Sequence, residues 1–218
     1  MILSAAMWSI AGLLATTLAA IAIGRALPAR RVVYSACLVI STVLLAFGFA
    51  RLVTPADPQA ILTLPLGLPW LGMNFAADPL AAFFLLVVNL GGMAASLYGL
   101  GYGRHETAPL RVLPFFPAFL AGMNLVVLAA DAFTFLLSWE FMSLASWALV
   151  MAHHRVVENA RAGYLYLIMA SFGTLALLLA FGLLAGPEGA YTFDGIRSAR
   201  AAQGLSPWVL ALVLLGAG

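Results

Sequence analysis

Six stretches of about 20 residues or more, at 2–23, 32–53, 79–103, 112–130, 132–152 and 160–185, are apolar almost throughout and are bounded by charge, proline or glycine. A bilayer core about 30 Å thick needs ~20 such residues at ~1.5 Å rise per residue, so each stretch reads as a complete membrane-spanning helix. A seventh stretch begins at Pro207 and runs to Gly218. The expected fold class is an all-α integral membrane protein with six complete transmembrane helices plus the start of a seventh. Hydrophobic residues make up 64% of the 218 positions and charged residues 8%, against roughly 45–50% and about 25% in soluble domains. A soluble domain and a disordered segment are both excluded. Cys37 is the single cysteine, so no intrachain disulfide framework can form. The first run has no basic residue before Arg25 and exceeds the ~7–15 apolar residues of a secretory signal, so it reads as a span.

The ten basic residues are all arginines, standing singly or in pairs between apolar runs. That spacing builds no basic face for nucleic acid and reads as membrane-edge charge. Arg25, Arg30, Arg31, Arg104, Arg111, Arg155 and Arg161 belong to the connections after the first, third and fifth spans, whereas Arg51, Arg197 and Arg200 belong to the other side. The positive-inside rule then predicts a multi-pass protein of the inner (plasma) membrane with its N-terminus outside. The long connections 54–78 and 186–206 lie on the outer side in that topology.

Asp78, just before Pro79, and Asp131, between the fourth and fifth spans, read as helix caps. The turn at Asp131 is tight enough to make its two helices antiparallel neighbours. Pro114 and Pro117 are expected to kink the fourth helix or delay its regular start. Gly99, Gly101 and Gly103 have the spacing G-x-G-x-G without the strand and helix of a dinucleotide site, and read as close packing or a helix end. Asn89 and Asn124 lie within spans, where an interhelical hydrogen bond is the first reading and a hydrated ion path the second. His105, His153 and His154 read as interfacial residues. No Cys, His and carboxylate cluster has metal-ligand spacing, so neither metal nor cofactor is expected in this chain.

One residue stands out against this background. Glu140 lies nine residues beyond Asp131, and nine rises of ~1.5 Å place it about 13.5 Å into a ~30 Å core. It is the only acidic residue well inside a span. A charge there costs at least ~2.5–3.5 kcal/mol on insertion scales, so such residues face a bundle interior or a wet cavity and mark ion or proton pathways. Ser143 and Trp147, three and seven positions on, share its helix face and are candidates to anchor a water or the carboxylate. The alternative is a protonated glutamic acid that hydrogen-bonds a neighbouring helix. There is no lysine anywhere, and Arg161 sits at the far end of the sixth span. A cationic partner at the depth of Glu140 is therefore expected on another subunit or on further chain.

The runs DPLAAFFLLVVNLGGMAASLYGLGYG, LAADAFTFLLSWEFMSLASWALVMAHHR and NARAGYLYLIMASFGTLALLLAF resemble the N-terminal part of the antiporter-like proton-pumping membrane subunits. These are the large subunits shared by respiratory complex I, Mrp-type sodium/proton antiporters and membrane-bound hydrogenases. The WE-x-MSLASW and RAGYLYL segments resemble most closely the hydrogenase-4 and formate hydrogenlyase membrane-subunit branch. The resemblance covers 78–185 well and the first two spans in pattern only. It implies a larger fold of two inverted repeats, with 1–77 as an N-terminal two-helix segment and outer loop, and 78–218 as part of the translocating domain. It also implies that Glu140 is the family's fifth-helix glutamate in a buried charge chain, whose partner is a lysine on a broken seventh helix. Asn124 and Ser171 are further candidates for support, although many close relatives are expected to carry a histidine near the place of Ser171. Redox centres in this family belong to other subunits.

The expected function is a proton-translocating, non-catalytic membrane subunit of a hydrogenase-like or complex I-like respiratory assembly. Its expected partners are other membrane subunits, the lipid bilayer and protons or Na+, with no nucleic acid. The alternatives are an Mrp-type cation/proton antiporter or inorganic-carbon transport subunit, and a truncated structural membrane anchor. An integral-membrane enzyme lacks support, since no paired carboxylates or nucleophile–base arrangement is present.

Overall fold

A computed structural model describes residues 2–26, 28–54, 61–103, 108–186, 189, 191–201 and 206–217. The helices are α1 (Ile2–Ile23), α2 (Ala29–Val53), α3 (Pro79–Tyr102), α4 (Phe115–Leu128), α5 (Ala132–Val150), α6 (Val157–Ala185), α7 (Phe193–Ala201) and α8 (Pro207–Ala217). A short hairpin, β1 (Leu62–Leu64) and β2 (Met73–Phe75), precedes α3. Six helical segments are long and apolar enough to cross a membrane, the fourth counted from Pro109 to Leu128. They are the six spans expected from the sequence.

Inside a bilayer a polar group without an internal partner is costly, and several hydroxyls of these helices find one on their own helix. Ser9, Thr16 and Thr17 of α1 donate back to the carbonyls of Ala5, Gly12 and Leu13 at 3.0, 2.8 and 3.1 Å. Thr42 of α2 and Ser96 of α3 do the same toward Leu38 and Gly92. The helix ends follow the capping expectations: Asp78 accepts from Ala81 N at 2.7 Å with Pro79 in the first turn. Asp131 accepts from Thr134 N at 2.7 Å.

Three helix starts differ from the hydropathy reading, and α6 simply opens one turn early at Val157. The second helix begins at Ala29 and includes Arg30 and Arg31, because Pro28 presets its first turn and a guanidinium at the membrane edge can reach out of the apolar layer. The fourth is delayed: Pro109–Arg111 form a 3-10 turn and regular helix starts only after Pro114, which lacks a donor.

Small residues set the spacing of the bundle. A Cβ added at Gly48 would lie 2.9 Å from Ala82 O, one at Gly92 2.9 Å from Ser41 Oγ, and one at Gly99 2.5 Å from the Tyr34 ring. These three points are in antiparallel register and bring α2 and α3 together along their whole length. Gly122 of α4 packs on the backbone of Met142 in α5, and Gly173 of α6 packs on Gly216 of α8. Gly99 thus serves close packing and Gly103 caps the end of α3, as the G-x-G-x-G spacing suggested. The core gathers Ile10 and Leu13 of α1, Val33 and Leu44 of α2, and Leu120 and Leu128 of α4. Trp8, Leu18, Phe49, Leu90, Leu97 and Leu179 instead point outward, as apolar residues do where the surrounding solvent is lipid.

The described parts of the long connections after α2 and α6 hold regular structure. The hairpin pairs Leu62 with Phe75, Thr63 with Asn74 and Leu64 with Met73. The amphipathic α7 buries Ile196 and closes an i,i+3 ion pair between Arg197 and Asp194 at 2.8 Å.

Candidate functional site

The α5–α6 contact carries the mid-membrane carboxyl group. Glu140 is the ninth residue of the 19 in α5, about 12 Å from its start. Its side chain is half-buried, and Oε1 accepts a hydrogen bond from the hydroxyl of Thr174 in α6. Among the described residues Glu140 makes no ion pair. Ser143 is buried on the same side of α5. One turn further, the indole Nε1 of Trp147 comes 3.7 Å from where a Gly163 Cβ would stand, so Trp147 also faces α6. The structure therefore places Glu140, Ser143 and Trp147 along one face, as their 3- and 7-residue spacing predicted.

Thr174 is the partner that sequence reasoning missed. Its signal was present: a hydroxyl on an otherwise apolar helix, one turn beyond Ser171. Ser171 itself is exposed, and the hydroxyl that meets Glu140 is the one at Thr174.

Asn124 lies elsewhere. It is fully buried between α4 and α3, where Asn89 Nδ2 donates to Asn124 Oδ1 at 2.7 Å and Asn124 Nδ2 reaches Asn89 Oδ1 at 3.4 Å. Each amide also donates to a carbonyl one turn back, Leu85 O at 2.9 Å and Leu120 O at 2.8 Å. This reciprocal pair is the interhelical hydrogen bond favoured in the sequence. Met142, which packs against Gly122 of α4, is two residues and about 200° around α5 from Glu140. The asparagine pair and the glutamate consequently occupy opposite sides of α5. Exchanging Asn89 and Asn124 for leucine, singly and together, should reveal a coupling of about 0.6–1.7 kcal/mol in SDS unfolding of the full-length protein. Additive effects would show that the pair contributes no net coupling.

At the end of α5 nearer Ala132, Asp131 does more than cap. It is fully buried, and Oδ2 accepts from Asn74 N at 2.9 Å and from Thr134 Oγ1 at 2.6 Å. Asn74 in turn holds Thr63 Oγ1 through Oδ1 at 2.7 Å. The backbone at Ala130 is stitched on both sides: its N–H donates to Asn74 O at 2.8 Å, and its carbonyl accepts from Phe193 N at 3.1 Å. The carboxylate locks the α4–α5 turn between the hairpin and the start of α7.

At the opposite end, Arg111 Nη1 stands 3.0 Å from His154 Nδ1 and 3.4 Å from Ala152 O. Arg30 Nη1 donates to Gly103 O at 3.0 Å, a cation at the negative end of a helix dipole. Arg104 and His105 lie outside the described residues, as do the side chains of His153 and Arg200. Among the described residues no three His, Cys, Asp or Glu side chains come together in a group able to hold a metal ion.

A family model described as "NADH:quinone oxidoreductase/Mrp antiporter, TM" matches residues 129–218, the part that contains Glu140 and Thr174. Hydrogenase-4 component B of Escherichia coli is 33% identical over 148 residues, covering 67% of this chain and 22% of that protein. NADH-quinone oxidoreductase subunit N of Granulibacter bethesdensis is 32% identical over 144 residues, covering 65% of this chain and 30% of that protein. A chain of the Mrp complex from Dietzia sp. superposes with a TM-score of 0.76 at 21% identity, over 98% of this chain and 23% of that one.

The chain is related to the antiporter-like membrane subunits.

This antiporter-like chain spans between about a fifth and a third of the length of those curated relatives. The solved Mrp structure shares its fold across nearly all of the chain, including the first two helices, where the sequence resemblance was one of pattern. Within the antiporter-like fold, the site residues divide into a mid-membrane α5–α6 contact, a buried amide pair between α3 and α4, and a polar lock at the α4–α5 turn.

Proposed function

We propose that this antiporter-like chain is a proton-translocating subunit of a multisubunit membrane complex of the hydrogenase or complex I type, with Glu140 as an exchanging group. The observation that carries this reading is a carboxyl group at mid-membrane depth whose hydrogen-bond partner is a neutral hydroxyl on the next helix. An acid so placed is costly as a bare charge, and its partner here is a neutral hydroxyl and not a cation. In this reading 1–77 form an N-terminal two-helix segment, 78–218 belong to the translocating domain, and Ser143 and Trp147 shape the space beside the carboxyl group.

The test uses sealed inverted vesicles containing the parent complex, with and without Na+. Proton uptake that persists without Na+ supports the proposal; uptake that appears only with Na+ points to a cation antiporter of the Mrp kind instead.

The proposed location is the plasma membrane with the N-terminus outside. In a Cys37→Ser background, a membrane-impermeant thiol reagent on intact cells should label Leu66→Cys and spare Arg155→Cys. The reverse pattern would overturn the orientation drawn from the arginines.

A further inference from the structure

At the end of the bundle where α1 and α5 finish and α2 begins, three connections and the start of α2 line a half-open cavity of about 710 Å3. Each connection brings a guanidinium group to it: Arg25 and Arg30 come from the first, Arg111 from the second and Arg155 from the third. No carboxylate is among its described lining residues, and among these residues four positive charges share one concavity. The Nε of Arg30 is buried there and has no hydrogen-bond partner among the described residues. Arg25 and Arg155 are exposed and make no ion pair among the described residues.

The remaining walls are apolar, with Leu110, Leu113 and Val156 beside the arginines. The volume equals that of about two dozen waters at ~30 Å3 each, far more than a free phosphate ion fills. The cavity also lies at the ends of the spans, the level of lipid headgroups. A ligand that matches all three features has an anionic phosphodiester group joined to an apolar body.

We infer that this cavity binds the headgroup of an anionic phospholipid, with the guanidinium groups on the phosphate and the leucines along the upper acyl chain. Arginine suits that task because its donors form a planar fork that matches phosphate oxygens. Basic pockets between transmembrane helices recognise acidic lipids by this chemistry.

The experiment takes the full-length protein in its purified assembly, strips it of lipid in detergent, and counts bound lipid by native mass spectrometry. Dioleoyl phosphatidylglycerol, dioleoyl phosphatidylcholine and inorganic phosphate are titrated separately. The expected result is a tight phosphatidylglycerol site that phosphatidylcholine does not fill. Either the double substitution Arg30→Gln with Arg111→Gln or the double substitution Arg25→Gln with Arg155→Gln should weaken it by about 30-fold, while Arg197→Gln at the other end leaves it unchanged. The Arg25 and Arg155 pair is exposed, so its exchange tests the site even if loss of the Arg30–Gly103 contact prevents assembly. Equal binding of the two lipids, or unchanged binding in the exposed-pair variant, would overturn the inference. Displacement of phosphatidylglycerol by inorganic phosphate would assign the arginines to a soluble anion and overturn the lipid source.

Discussion

Glu140→Gln is expected to leave the protein folded and assembled while lowering proton movement by more than about tenfold, a rise of about 1.4 kcal/mol or more in the transfer barrier. Glutamine keeps the length of the side chain and an oxygen that can accept from Thr174, so the α5–α6 contact survives. It loses the one property a proton carrier needs, a group that binds and releases a proton. A glutamic acid kept only for hydrogen bonding would tolerate the exchange. Glu140→Asp should fall between glutamine and wild type, because the shorter side chain retains the carboxyl group but withdraws it from Thr174 by one methylene. Thr174→Val should cost only a few-fold, since it removes a partner and not the carrier. The measurement is proton uptake in vesicles carrying the parent complex, normalised to assembled subunit. A glutamine variant that moves protons at the wild-type rate would reduce Glu140 to a packing residue.

Asp131→Ala is expected to have the largest effect on stability, about 3 kcal/mol or more. The carboxylate is fully buried and accepts from Asn74 N, Thr134 N and Thr134 Oγ1. Its removal strands Thr134 N and leaves Asn74 N with only its 3.1 Å bond to Thr134 Oγ1, and a buried donor without a partner costs its full desolvation. The hairpin then keeps only its backbone bonds to the α4–α5 turn, so protease sites in the 61–76 region should open well before the helices unfold. Asp131→Asn should be milder, because its amide oxygen still accepts one of these bonds. Thermal inactivation of the full-length protein, with limited proteolysis as a local probe, measures both effects. An alanine variant as stable and as protease-resistant as wild type would show that the Thr134 Oγ1 acceptor and the backbone bonds hold the hairpin without the carboxylate.

The two substitutions separate the parts of this protein that a linear reading reaches from those it does not. Apolar length, charge placement and capping residues are local properties, and the bilayer makes them decisive: a helix in lipid must close its own backbone hydrogen bonds, so ~20 apolar residues have one way to fold. The six spans, the caps at Asp78 and Asp131, and the position of Glu140 midway along its helix were therefore legible in the sequence. So was the shared face of Glu140, Ser143 and Trp147, which depends only on the helical repeat.

Pairing between helices is a different matter, because in lipid every span is about equally apolar and hydropathy does not choose its neighbours. Only the tertiary structure decided that Thr174, not Ser171, meets Glu140, since the choice turns on the rotation of α6 against α5. It likewise decided that Asn124 joins Asn89 on the far side of α5, and that Asp131 reaches back 57 residues to the hairpin at Asn74. The polar lock and the four-arginine cavity form where connections distant in the chain converge, and such convergence is set by how whole helices pack.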